Sequence, residues 1–150
     1  MFKNQKNWIK LTYERKKILI VDDDPIILFL HEAIMEDVAP HTPIMTFAKG
    51  LLANEYIFEH KESALLLMLD INMPVMDGWV LLDLLSAKPD LDVLVIMATS
   101  SINDRDKKRA FEYPIVKGML IKPIVPDLLF KLPEGEIIKN FLDKQGGGYK

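Results

Sequence analysis

From Lys17 onward, short unbroken apolar runs alternate with longer stretches whose apolar residues recur at helical spacing. Ile18–Val21, Leu65–Leu69 and Val93–Met97 are continuous apolar runs, the form taken by strands buried on both faces of a parallel sheet. Ile44–Ala48 and Met119–Ile121 complete a set of five predicted strands. After the first strand, Pro25 suits an opening helical turn, and Ile26, Ile27, Leu30, Ile34 and Met35 follow at helical intervals. Leu51, Leu52, Tyr56 and Ile57 form a second stripe, and Val80, Leu81, Leu84 and Leu85 a third, stopped by Pro89. Asn103–Phe111 is polar and reads as a short exposed helix. Strand and helix alternating in this way predict an α/β fold, a doubly wound five-stranded parallel sheet of (βα)5 type with helices on both faces.

The end of the chain is less regular. Asp127–Leu132 has helical spacing, Pro133-Glu134-Gly135 interrupts it, and Ile137, Ile138, Phe141 and Leu142 form another stripe before three glycines. One kinked helix and two short ones both satisfy that pattern. The predicted organisation is a basic extension over 1–16, one domain over 17–132 and a helical tail over 133–150.

Composition narrows the classes. With 150 residues and 49% hydrophobic content, the chain has material for one ordinary core. No apolar run approaches the roughly 18 residues of a membrane span, the start has no secretory pattern, and cysteine is absent. The expected location is the cytoplasm. Charge is divided unevenly: Lys3, Lys6, Lys10, Arg15, Lys16 and Lys17 face only Glu14 in the first 17 residues, whereas the rest is net acidic. Such a basic arm can bind nucleic acid or lipid, although it is more often a frayed, solvated terminus, and the acidic body argues against a nucleic-acid surface.

Candidate chemistry sits where four strands should end. The segments are Val21-Asp22-Asp23-Asp24-Pro25, Leu69-Asp70-Ile71-Asn72-Met73-Pro74, Ala98-Thr99-Ser100 and Ile121-Lys122-Pro123. A parallel sheet brings the carboxyl ends of its strands to one edge, where ligands bind. Carboxylates, a hydroxyl and an ammonium would therefore converge. Crowded carboxylates repel, and a divalent cation with oxygen ligands resolves the repulsion. Such parts suit phosphoryl transfer at a metal ion.

These four motifs, in this order and spacing, resemble the receiver domain of two-component response regulators. The resemblance covers Lys17 to about Leu132 and includes the run Asp70-Ile71-Asn72-Met73-Pro74-Val75-Met76-Asp77-Gly78. It implies a flavodoxin-like fold and a phospho-acceptor switch that promotes its own phosphorylation and dephosphorylation rather than a conventional enzyme. By resemblance Asp70 accepts the phosphoryl group, Thr99 and Lys122 contact it, and Mg²⁺ is held by Asp22, Asp23, Asp70 and the backbone carbonyl of Asn72. Asp22 would act through water. Asp24 would stand outside the metal's ligand set as a helix cap, and Asp77 is a second candidate cap. The positions of Asn72 and Ser101 adjust phosphoryl lifetime in the family. A cis Lys122–Pro123 bond is implied as well.

One departure is Met119, which stands where the family carries an aromatic three residues before the lysine. Without that ring, a signal would travel through loop and helix shifts. The implied partners are a sensor histidine kinase or phosphotransfer protein and a downstream protein reached by contact. Only 18 residues follow the receiver segment, so a stand-alone receiver is expected. Two alternatives are an unphosphorylated pseudo-receiver that serves as an interaction module, and a haloacid-dehalogenase-like phosphatase. The second needs Asp-x-Asp-x-Thr/Val after the first strand, but Ile26 occupies the Thr/Val position.

Overall fold

In the computed structural model, residues 15–142 are described. The basic arm up to residue 14 and the glycine-rich end from 143 lie outside the described residues, and with them most of the predicted extension and part of the predicted tail. Five strands, β1 (Lys16–Val21), β2 (Ile44–Phe47), β3 (Ala64–Asp70), β4 (Asp92–Thr99) and β5 (Val116–Ile121), form one sheet in the order β2-β1-β3-β4-β5. Every pairing is parallel. This is the flavodoxin-like doubly wound arrangement, with its reversal of strand order beside β1.

Period-two alternation divides the strand side chains between two cores. Leu19, Val21, Leu65, Leu67, Leu69, Val95 and Met97 face α2 (Gly50–Glu59), α3 (Gly78–Ser86) and the end of α4 (Asp104–Ala110). Ile18, Ile20, Leu66, Met68, Ile96 and Ala98 face α1 (Pro25–Val38), α5 (Pro126–Phe130) and α6 (Gly135–Leu142). The irregular end is thus two short helices. Their junction is tight, since a Cβ on Gly135 would lie 2.2 Å from the Phe130 carbonyl oxygen. Ile138, Phe141 and Leu142 are buried against the sheet, so α6 is part of the core.

The helices are rotated from the faces that the apolar stripes predicted. In α1 the fully buried residues are His31 and Met35, whereas Ile26 and Leu30 are exposed, as is Phe29. In α2 Ala53 and Ile57 point inward, and Leu51 and Leu52 outward. In α3 Trp79, Leu81, Leu82 and Leu85 are buried, while Val80 and Leu84 are exposed. Each helix carries more apolar residues than one face can bury, and the sheet's spacing decided which of them turned inward. No helix among the described residues is long and apolar enough to cross a membrane.

Candidate functional site

Asp22 directly follows β1 and is buried, while Asp23 beside it is exposed. An Asp22 carboxylate oxygen accepts the backbone N–H of Asp24 at 2.9 Å, which bends the chain out of the strand. Asp24 then caps α1, accepting the Ile26 N–H at 2.9 Å, and Pro25 takes the first helical position, where no N–H is required. Asp24 is thus the helix cap that the sequence suggested.

Asp70 is the last residue of β3 and is 3% exposed. Its carboxylate accepts the Asn72 N–H at 3.3 Å. The loop beyond it is tightly folded: Met76 N–H donates to the Pro74 carbonyl at 2.8 Å across Val75, whose φ is 68°. A β-branched residue in the left-handed region is strained, and the Val75 side chain is fully exposed. Asp77 closes the loop by capping α3, accepting the Val80 N–H at 3.0 Å. Gly78 is required by close approach, because a Cβ there would lie 2.5 Å from the Asp70 carbonyl oxygen. Its N–H donates to the Ile71 carbonyl at 2.8 Å. The start of α3 is therefore pressed against the backbone of Asp70.

Lys122, just beyond β5, reaches back to the other strand ends. Its Nζ donates to Asp22 at 2.9 Å and stands 3.2 Å from Asp70. The Lys122–Pro123 bond is cis. Thr99, the last residue of β4, is buried, and its hydroxyl donates to the Ser101 carbonyl at 2.8 Å. The Lys122 N–H donates to the Thr99 carbonyl at 2.8 Å, tying these two strand ends together. Met119 is buried in the core beneath α3 and α4.

Burial, followed by the neighbouring Asp22 charge, pushes the Asp70 carboxyl up to about 6, against the pull of Lys122 and the Asn72 N–H. For Lys122, burial opposes the charge, but the hydrogen bonds and charges of Asp22 and Asp70 outweigh it and hold its pKa above the usual lysine range. Asp22, Asp23 and Asp70 each offer a carboxylate oxygen, all within 4.8 Å of one another. Three hard oxygen donors on one concave edge, with Asp23 open to water, fit a small divalent cation such as Mg²⁺ that keeps part of its hydration shell. A pocket of about 470 Å³ adjoins the cluster, lined by Asp23, Lys49, Leu51, Pro74 and Met76 among others.

The sequence-predicted residues Asp22, Asp23, Asp70 and Lys122 therefore come together. Thr99 stands at the same edge with its hydroxyl committed to the β4–α4 loop, and Asn72 meets Asp70 through its N–H. Sequence reasoning missed His31, whose Nε2 accepts the Ile124 N–H at 3.0 Å within the core. A histidine inside an apolar helix carries no local signal of that role.

A doubly wound parallel sheet with a carboxylate cluster and a lysine at its carboxyl edge defines a flavodoxin-like α/β domain with an acidic site. The chain belongs to the response regulator receiver domain family, a family of phospho-acceptor switches, whose sequence profile matches residues 18–133. It is 29% identical over 115 residues to the two-component response regulator ORR23 of Oryza sativa subsp. indica, a match covering 72% of this chain and 15% of that protein. To the Arabidopsis thaliana regulator ARR12 it is 33% identical over 84 residues, 56% of this chain and 14% of that one. The chain thus spans only about 15% of the length of the first of these relatives. A crystal structure of a two component response regulator from Cytophaga hutchinsonii superposes with a TM-score of 0.68 at 25% identity, covering 84% of this chain and 92% of that one.

Proposed function

We propose that this chain is a phosphorylation switch of two-component signalling, accepting a phosphoryl group on Asp70 from a histidine kinase or a phosphotransfer protein in the cytoplasm. The observation that carries the reading is Asp70 itself, a buried carboxylate enclosed by Asp22, Asp23 and the Lys122 ammonium. In the transfer an Asp70 oxygen attacks phosphorus, an acyl phosphate forms, and the bond to the donor atom breaks with its electron pair leaving on the donor. Bound Mg²⁺, held by Asp22, Asp23, Asp70 and the Asn72 carbonyl, would neutralise charge as two anionic groups approach. Lys122 neutralises charge on the transferred group as a preorganised cation. Thr99 would exchange its bond to Ser101 for one to a phosphoryl oxygen, and losing that bond frees the β4–α4 loop.

The outward face of α1 supports docking of a protein donor. Ile26 is 67% exposed and Phe29 70% exposed, and the helix starts directly beyond the acidic cluster. Output would likewise be by protein contact. Buried Met119 offers no aromatic ring to swing between exposed and buried positions, so the response should concentrate around Thr99–Asn103.

The test is incubation with Mg²⁺ and a small phosphodonor, followed by intact mass and mapping of the modified residue. One phosphoryl mass on Asp70, lost in Asp70→Asn, is the expected result. Mass on Asp22 would indicate phosphatase-like chemistry, and none at all would indicate an interaction module that is not phosphorylated.

A further inference from the structure

Among the described residues, a buried hydrogen bond joins the β5–α5 loop that carries Lys122 to α1. Ile124, two residues beyond Lys122, follows the end of β5 at Ile121, so its N–H lies outside the strand ladder. Ile124 is fully buried, and a buried backbone N–H needs an acceptor. His31, 1% exposed in the middle of α1, supplies it through Nε2 at 3.0 Å. An imidazole nitrogen that accepts carries no proton, so the hydrogen resides on Nδ1 and the ring is neutral. Burial, the largest influence on this ring, disfavours its charged form; Lys122 acts in the same sense and Asp22 in the opposite one.

We propose that His31 is a positioning residue for phosphoryl transfer: by fixing the Ile124 amide, it sets the backbone from which Lys122 reaches Asp22 and Asp70. This inference rests on the phospho-acceptor reading of Asp70. Among the described residues His31 makes no hydrogen bond to Asp70, Lys122 or the acidic cluster, and its one buried hydrogen bond goes to the loop backbone at Ile124. The Ile124 side chain is anchored separately in the core with Met35 and Leu129. What the histidine adds is the orientation of the main chain.

The experiment compares His31→Leu, which keeps volume and removes the acceptor, with His31→Gln, whose Oε1 lies the same number of bonds from Cα as the histidine Nε2. Asp70 phosphorylation by phosphoramidate is followed by intact mass at saturating Mg²⁺, and Mg²⁺ affinity is titrated separately. The Leu variant should phosphorylate about 10- to 100-fold more slowly, the range expected when a catalytic group is displaced by about 1 Å. Its Mg²⁺ affinity should stay within about threefold, and Gln should recover most of the rate. A wild-type rate in the Leu variant, no recovery with Gln, or a Mg²⁺ affinity falling in proportion to the rate would overturn the assignment. The anchor is also read without phosphorylation, by ¹⁵N NMR of the wild-type imidazole and amide exchange at Ile124. An unprotonated Nε2, with slow exchange that becomes fast in the Leu variant, is expected. A protonated Nε2 in the wild type refutes it even if the Leu variant does not fold, and exchange left unchanged in a folded Leu variant refutes it as well. If wild-type protein accepts no phosphoryl group while the NMR results hold, the failure lies in the reading of Asp70 and the anchor stands.

Discussion

Replacing Asp70 with asparagine should stabilise the metal-free protein, although it removes the acceptor. The three carboxylates repel one another, and Lys122 compensates only in part, which is why the Asp70 carboxyl is pushed from 3.8 up to about 6, chiefly by burial and then by Asp22. A folded pKa raised above the unfolded one means that the fold prefers the protonated carboxyl. The wild type is therefore unpenalised below the unfolded value and loses stability as pH rises through about 6. A shift of about two units corresponds to ~3 kcal/mol at most, and relaxation and water access at the site mouth reduce it to on the order of 1–3 kcal/mol. Asparagine keeps the shape without the charge, so the gain should be full above about pH 7 and vanish towards about pH 4. Urea unfolding of both proteins in a chelator, across that pH range, measures it. In heating experiments each kcal/mol should appear as roughly 2–4 °C in Tm for a chain of this size. Added Mg²⁺ should close the gap by stabilising only the wild type. A destabilised Asn variant at neutral pH, or a gain that does not change with pH, would refute the reasoning.

Mg²⁺ titrations should separate the adjacent acids: Asp23→Ala loses most of its affinity, whereas Asp24→Ala keeps it and loses about 1 kcal/mol of stability with the α1 cap. Equal loss of Mg²⁺ binding in both would place the site one residue away. Val75→Gly should raise stability by up to about 1 kcal/mol in denaturant melts, since glycine adopts this positive-φ turn without a Cβ penalty and the valine side chain is fully exposed. Gly78→Ala should destabilise by about 1–3 kcal/mol or more, because its Cβ would overlap the Asp70 carbonyl. That variant should also bind Mg²⁺ more weakly than Val75→Gly does, which a titration of the two would check.

The central strands were legible because their signal is local. The central residues of β1, β3 and β4 are buried on both faces, so each strand contains an unbroken apolar run that announces itself, Ile18–Val21, Leu65–Leu69 and Val93–Met97. β5 begins three residues earlier than predicted, at Val116, because Lys117 and Gly118 interrupt its apolar pattern. Gly118 stands there because a Cβ would lie 2.5 Å from the Leu132 side chain, a contact between residues 14 positions apart. The acidic cluster was legible for a topological reason: parallel strands place all their carboxyl ends on one edge, so residues 22, 70 and 122 meet however far apart they lie in the chain.

The sequence by itself determined the alternation of strand and helix, the caps at Asp24 and Asp77 and the set of residues at the strand ends, since each depends on a residue's chain neighbours or on the shared direction of parallel strands. Only the tertiary structure decided which face of each helix turned inward. Ile26, Leu30 and Phe29 are as apolar as Met35, and the choice between them rests on the angle at which α1 meets the sheet. That choice buried His31 and aimed it at the Ile124 amide, 93 residues away. A hydrogen bond between distant segments is fixed by the packing of the whole core, and a helical period in one of them carries no record of it.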